Sequence, residues 1–318
     1  MDLKQLTAVV AVAEVGSVTR AAQLLHLVQP AVTRQIRLLE HELGVPLFER
    51  TRQGMVPTEA GERLVGHARR ALGELERARA EIRSDAAEVS GIVTLGVLES
   101  VMDLIVEPLV RAVTHRWPGV QLRILTAYSG HLQQWLDDGE VDLSLLYNLT
   151  DTPSLAVLPL LDESLWAVAP PSARLDPSEA IPWTRLLAQP LVLPVAGHGL
   201  RVLVDRARSG VEVVPTVALE TNSMHLQKQL VLAGYGWTVL PAAGVGADVV
   251  SGVLSAAPLT EPETTRSIVL GLPRGRRSRA VEAVAAELAR LVGGLVHSGG
   301  WPSARLHPSL AGSAKPTA

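Results

Sequence analysis

The sequence predicts an α/β protein in three parts: an N-terminal winged helix-turn-helix, a long linker helix, and a C-terminal domain of two α/β lobes. Three observations predict it. Residues 3–43 carry apolar spacings of three and four, broken by Gly16 and by a short turn at 26–28. Residues 64–82 repeat the same alternation almost without interruption. From Gly91 the rhythm changes to short β-rich runs separated by helical stretches. At 318 residues the chain has room for about two domains at ~150 residues each, and 47% hydrophobic residues can fill their cores.

Within residues 1–58, Leu3, Leu6, Val10 and Ala13 predict an amphipathic helix over 3–15, stopped by Gly16. Ser17 and Thr19 offer capping oxygens for a second helix, Thr19 to Leu25, whose Ala21 and Ala22 permit close approach. Pro30 suits the first turn of a third helix, because its missing N–H would have had no partner there. Val32, Ile36, Leu39 and Leu43 place one apolar face on that helix, and Gly44 ends it. The runs "VPLFER" and "GMVPT" then read as two strands of a wing around the turn Thr51–Gly54.

The other face of the third helix presents Gln29, Thr33 and Arg37 in a row, with Pro30 and Arg34 beside it. Such groups suit base edges in a major groove: Arg can pair with guanine, Gln with adenine, and a Thr methyl can touch thymine. Arg50 and Arg52 on the wing are placed for phosphates. A polar outer face is also what any surface helix shows, so residue chemistry alone does not choose between the two.

Over 59–90 the positions Leu64, Ala68, Ala71, Leu75, Ala78 and Ile82 form a seam of nearly three heptads, weakened by its alanines. The seam predicts dimerisation, with packing against the chain's own residues as the alternative. A two-fold dimer would present two reading helices to the half-sites of an inverted repeat.

In residues 91–296, "GIVTLGV", "VQLRILTA" and "VDLSLLYN" read as strands, followed by others near 191–194, 215–219, 236–241 and 266–272. Helices near 200–208, 223–233 and 278–295 separate them, and the alternation predicts parallel sheets with covered faces. The size favours two lobes with a cleft, lobe I from 91–161 and 266–296, lobe II from 162–265. From His297 to 318 the chain turns to Gly, Pro, Ser and Ala and reads as a disordered tail. In such sheets ligands settle beyond the carboxyl ends of strands, where helix N-termini point inward. "GVLES", "TAYSGH", "VAGHGLR" and "ETNSMH" are such junctions, although helix caps use the same residue types.

A net charge of −3 gives no global pull toward nucleic acid, so any such binding needs a local patch. With no cysteine, disulfides, thiolate nucleophiles and Cys-ligated zinc are excluded, which suits a reducing compartment. The amino terminus carries Asp2, Lys4 and Glu14 and reads as an amphipathic helix, not a signal peptide. No uncharged apolar run approaches the ~18 residues of a membrane span, so no membrane partner and a cytoplasmic location are expected. Zincin, nucleophile-elbow and phosphate-loop motifs are missing, and the nine histidines do not cluster at ligand spacing. "GYGWTVLP" lacks a full dinucleotide fingerprint, so Gly234 and Gly236 read as a helix stop and turn. The basic run from Arg274 to Arg279 reads as a solvated turn before the last helix.

"SVTRAAQLLHLVQPAVTRQIRLLEHELGVPLFERTRQGMVPTEAGE" resembles, in order and spacing, the N-terminal signature of LysR-type transcriptional regulators. The resemblance implies a reading helix with Gln29, Pro30, Thr33, Arg34 and Arg37, wing contacts from Arg50 and Arg52, and a homodimer or homotetramer on double-stranded DNA. It also implies a periplasmic-binding-protein-like effector domain and a small-molecule co-inducer, without a cofactor, and it leaves a contact with RNA polymerase open. Ser100, Thr126, His198, Arg201, Asn222 and Ser223 would then face the inter-lobe cleft. Glu99 would add negative charge there, which an anionic ligand would need Arg201 or helix dipoles to offset. One departure is Val28, where the family commonly has a Ser; a lost cap costs about 1 kcal/mol. The segment "SGHLQQWLDDGEVDLSLLYN" is similar to the nitrogen assimilation control branch.

Overall fold

The computed structural model describes residues 1–52, 54–83, 89–208, 215–275 and 277–311. They form two compact units, residues 1–91 with 137–140 and residues 92–136 with 141–318.

The first unit contains α1 (Leu3–Val15), α2 (Val18–Leu24), α3 (Gln29–Leu43), the wing strands β1 (Phe48–Thr51) and β2 (Gly54–Pro57), and α4 (Glu59–Arg83). A capping box opens α1: Gln5 N–H donates to Asp2 Oδ1 at 2.9 Å, and Asp2 N–H donates to Gln5 Oε1 at 2.7 Å. Gly16, at φ +64°, ends the helix, and its carbonyl accepts Met55 N–H at 2.9 Å. That bond ties the wing to the end of α1. Val32, Ile36 and Leu39 of α3 join Val9, Val12, Ala21, Ala22, Leu47 and Phe48 in one core. Leu43, the last member of the expected α3 stripe, stays exposed.

The buried face of α1 differs from the expected one. Gln5, Leu6, Ala8, Val9, Ala11 and Val12 face inward, whereas Leu3 is exposed. This helix is apolar on most of its circumference, so spacing alone does not fix its rotation.

The junction into α4 is tightly built. Glu40 Oε1 accepts Leu47 N–H at 2.8 Å, which holds the segment after α3. Thr58 Oγ1 donates to Pro46 O at 2.8 Å and accepts Gly61 N–H at 3.0 Å. A Cβ on Gly61 would lie 2.0 Å from the carbonyl oxygen of Leu47, so only glycine fits there. Along the expected seam, Leu64 packs partly on the core and Ala68 is buried within its own chain. Ala71, Leu75 and Ala78 are exposed, and the side chain of Ile82 lies outside those described. The first two seam positions thus serve the chain's own packing, as their nearness to the three-helix core requires.

The second unit contains β3 (Gly91–Leu98), α5 (Met102–Arg116), β4 (Val120–Ala127), α6 (Ser129–Asp137), β5 (Leu143–Tyr147) and a 15-residue strand, β6 (Leu155–Ala169). It continues through β7 (Ile181–Pro182), α7 (Trp183–Leu187), β8 (Leu191–Leu193), α8 (Gly199–Arg208), β9 (Val217–Glu220), α9 (Met224–Leu232) and β10 (Thr238–Pro241). Then come α10 (Gly246–Val250), β11 (Ser255–Thr260), β12 (Thr265–Pro273), α11 (Arg279–His297), β13 (Ala304–Leu306) and α12 (Pro308–Ala311). The main sheet has the order β4-β3-β5-β12-β6-β11-β7, with β10 and β13 also paired to β6, and β8-β9 form a separate pair.

The expectation of parallel sheets is corrected. β3–β5 and β8–β9 are parallel, but β12 is antiparallel to both β5 and β6, and β10 and β11 are antiparallel to β6. The long β6 escapes sequence reading because Pro159, Asp162 and Glu163 interrupt its apolar run. The expected lobe boundary at 161/162 falls inside this continuous strand, so the chain passes between lobes without a break.

The expected disordered tail from 297 is also corrected. Trp301 is buried, and β13 pairs with β6 so that Ala304 stands opposite Glu163. Average composition hid one large apolar anchor. Residues 312–318 lie outside the described ones.

Replacing Gly61 by Ala should force the Leu47 carbonyl aside and destabilise the first unit by about 1–3 kcal/mol. Gly73→Ala, where nothing lies within 4 Å of the added carbon, should be neutral or stabilising by up to ~1 kcal/mol. Urea unfolding followed by helical circular dichroism separates the two; equal midpoints would refute the close-approach assignment.

Candidate functional site

Two arrangements of polar side chains stand out, one in each unit. In the first unit, Val28 precedes α3 and supplies no side-chain cap, while Pro30 occupies the first turn. Gln29 Nε2 donates to Thr33 Oγ1 at 2.9 Å, and that hydroxyl donates to Gln29 O at 3.1 Å. The pair is preorganised along the helix face at the i, i+4 spacing. Arg34, Arg37, Arg50 and Arg52 are exposed, and among the described residues none of them forms an ion pair. An open groove of about 520 Å³ runs along this face, lined by Gln29, Pro30, Thr33, Arg34, Arg37, Leu38 and His41. The five predicted positions on this face and the two on the wing are therefore outside the core, with Thr33 half-buried and the other six exposed.

In the second unit, Ser100 sits on the 3₁₀ turn Glu99–Val101 that follows β3. Its hydroxyl accepts Arg266 Nη2–H at 2.7 Å. Arg266 stands opposite Glu163 across β12 and β6, and its Nε–H donates to Glu163 Oε1 at 2.7 Å. Side-chain exposures of 3% and 0% make this a buried ion pair. Tyr147, at the end of β5, lies under the guanidinium, whose centre is 5.2 Å from its ring. Its hydroxyl is buried beside the backbone N–H groups of Gly199 and Leu200, and no acceptor for its proton is found among the described residues. Burial raises the Tyr147 pKa, against the opposing pull of Arg266. The start of α8 closes on this ring: a Cβ on Gly199 would lie 2.6 Å from the Tyr147 hydroxyl.

His198 precedes that helix, and its Nδ1 accepts Leu200 N–H at 3.2 Å. Its ring lies 5.2 Å from that of Tyr128. Burial, and then the nearby positive Arg266, pull the His198 pKa down to about 4, so the imidazole is neutral at physiological pH. Glu99 Oε2 accepts the N–H of Met224 at 3.4 Å, at the opening of α9, where a carboxylate is favoured by the helix dipole.

Of the expected cleft residues, the structure brings together Glu99, Ser100 and His198. Ser223 is spent as the N-cap of α9, accepting Leu226 N–H at 3.3 Å. Thr126 and Asn222 are exposed and share no hydrogen bond with this group among the described residues. Arg201 is corrected as the offsetting cation: it pairs with Asp205 at 3.1 Å and Glu220 at 2.5 Å and donates to Pro194 O. The cation of the site is Arg266, and Tyr147 and Tyr128 accompany it. The signal was a lone arginine entering an apolar strand in "TTRSIVLGL", matched by the acidic pair in "LLDESLWAVA". Charges inside strand-like runs need partners.

A helix-turn-helix with a two-stranded wing, followed in sequence by a long helix and a mixed α/β domain with an internal polar cluster, defines a DNA-binding regulator with a ligand domain. The chain belongs to the LysR family of bacterial transcriptional regulators. Residues 3–62 match the bacterial regulatory helix-turn-helix protein model of the lysR family, and residues 86–292 match the LysR substrate binding domain. It is 32% identical to the HTH-type transcriptional regulator BbuR of Bordetella bronchiseptica, over 95% of this chain and 92% of that one. It is 29% identical to the nitrogen assimilation regulatory protein nac of Klebsiella aerogenes, over 92% and 95% respectively. Its fold is like that of full-length OxyR from Pseudomonas aeruginosa, with a TM-score of 0.69 and 24% identity over 92% of this chain and 94% of that one.

The lowered His198 pKa has a pH consequence. The unfolded chain, with an ordinary value of 6.5, binds a proton below that pH that the folded site refuses until about 4. The contribution is therefore full above pH 6.5 and is lost as pH falls from 6.5 toward 4. The stability advantage of wild type over His198→Gln should shrink between pH 7.5 and pH 5 in urea titrations. A difference that stays constant over this range would contradict the buried neutral imidazole.

Proposed function

We propose that this regulator binds an inverted-repeat operator as a dimer or tetramer in the cytoplasm and acts as a transcription factor, not as an enzyme. In this reading Gln29, Pro30, Thr33, Arg34 and Arg37 meet base edges, and Arg50 and Arg52 meet phosphates. The observation that carries it is the outward row of arginines on α3 and the wing, without ion-pair partners among the described residues, in a chain whose net charge is −3. Charge left uncompensated at one place on an otherwise acidic protein marks where a polyanion binds. The exposed Ala71, Leu75 and Ala78 on α4 offer the partner helix a seam.

A small molecule modulates this binding at the cluster of Ser100, Tyr147, His198 and Arg266. The buried Tyr147 hydroxyl, whose proton has no acceptor among the described residues, supports a ligand that presents a hydrogen-bond acceptor. Because Glu163 already neutralises Arg266, the site does not demand an anion. The absence of cysteine supports a reversibly bound ligand over thiol chemistry.

Gel-shift titrations on the DNA flanking the gene test the reading face. Arg34→Ala should lose about ten- to a hundredfold in operator affinity while keeping non-specific binding. Arg52→Ala should weaken operator and random DNA alike and reduce the salt slope by about 1. Wild-type selectivity in Arg34→Ala would defeat the assignment. For the seam, Leu75→Glu should shift sedimentation toward the monomer; an unchanged dimer would move the interface elsewhere.

A further inference from the structure

Beyond α11 the chain turns back over β6, at the point where that strand leaves β12 for β10 and β11. A strand pairing and hydrogen bonds of backbone and side chain fasten it there. β13 pairs with Leu161–Glu163. Trp166 Nε1–H donates to Ser303 Oγ at 3.1 Å. His307 N–H donates to the carbonyl of Leu160 at 2.9 Å, and Leu160 is the residue that the register shift leaves without a partner on β12. The strap therefore satisfies a bulge that would otherwise bury an unpaired carbonyl.

One further bond reaches through this region toward the ligand cluster. The buried indole of Trp301 donates its Nε1–H to Glu163 Oε2 at 2.9 Å. The other carboxylate oxygen accepts Arg266 Nε–H at 2.7 Å, and Arg266 reaches Ser100 Oγ at 2.7 Å. Glu163 has no exposed side-chain surface, so solvent does not replace a lost donor. A buried carboxylate lacking one donor rotates or draws its cation closer, and either movement is felt at Ser100. The chain of contacts is continuous from strap to cleft, and each link is a charge-assisted or buried hydrogen bond.

We propose that Trp301 is a positioning residue for the ligand cleft: by fixing the Glu163 carboxylate, its indole N–H holds Arg266 against Ser100, and the C-terminal strap thereby sets the geometry a ligand meets. The inference rests on the reading of the Ser100 cluster as the ligand site. A tryptophan that only fills space would matter to the strap around it and not to a turn on the far side of two strands.

Hydrogen–deuterium exchange on the full-length protein tests this. In Trp301→Phe, which keeps an aromatic ring and removes the donor, amides of residues 98–104 should exchange roughly tenfold faster while residues 304–307 keep their protection. Faster exchange confined to 298–311, or spread evenly through the domain, overturns the proposal. Should Trp301→Phe fail to fold, Ser100→Ala decides from the other end. The indole N–H resonance of Trp301 should move in the ¹H–¹⁵N spectrum of that variant, and a resonance unchanged from wild type overturns the proposal. The site reading is tested separately, by loss in Tyr147→Phe of a ligand-induced melting shift found by screening small metabolites on wild type. Coupling without any such ligand would fell that reading alone, and ligand binding without coupling would fell this one.

Discussion

A carboxylate and a guanidinium with almost no access to water face each other on β6 and β12, and the ligand domain is organised around that pair. Two charges in such a place are tolerable only if every oxygen and nitrogen finds a partner, because removing one partner of a buried pair costs about 3–5 kcal/mol. The surroundings answer that demand from three directions. Trp301 takes the second carboxylate oxygen, Ser100 takes one guanidinium nitrogen, and Tyr147 lays its ring beside the cation. Replacing the pair by apolar residues would cost the fold little. What the pair does is place a charged, hydrogen-bonded group at the end of β3, against Ser100 and Tyr147.

The DNA-binding unit depends instead on closeness of backbone. Gly54 and Gly61 lie where a Cβ would meet the carbonyl oxygens of Gly16 and Leu47 at 2.4 and 2.0 Å. Glu40 and Thr58 close the same joints with side-chain oxygens. The wing is thus bolted to α1, and the start of α4 to the segment after α3. A reading helix is useful only if its orientation is fixed, and these joints fix it without spending any residue of the outer face.

What could be read beforehand follows from which interactions are local. The α3 stripe as far as Leu39, Gly44, the missing cap at Val28 and the outward row from Gln29 to Arg37 all belong to one helix and its caps, where spacing determines facing. The rotation of α1 was not legible, since an almost wholly apolar helix carries no phase. In the ligand domain, Ser100 was legible as the residue after a strand. Arg266 was not, because its role comes from standing opposite Glu163 at a separation of 103 residues. Arg201 looked equally suited from its place in the first turn of α8, and only the fold reveals Asp205 and Glu220 already holding it. The strap failed for a related reason: Trp301 is one residue in a segment whose average composition is that of a loop.

The outer face of α3 with the wing, and the second unit, handle the same residue type in opposite ways. On that face Arg34, Arg37, Arg50 and Arg52 stand exposed without ion-pair partners among the described residues, unlike Arg69 and Arg70 of α4, at little cost because water solvates them until a polyanion displaces that water and its counterions. In the second, Arg266 and Arg201 are paired, and Arg266 is withdrawn from water altogether. A buried arginine without Glu163 would be untenable, while an exposed one with an acidic neighbour would be a poorer phosphate ligand. The net charge of −3 sums over both uses and so conceals each. The distribution of partners, more than the count of charges, assigns one unit to nucleic acid and leaves the other a site whose single cation is already neutralised.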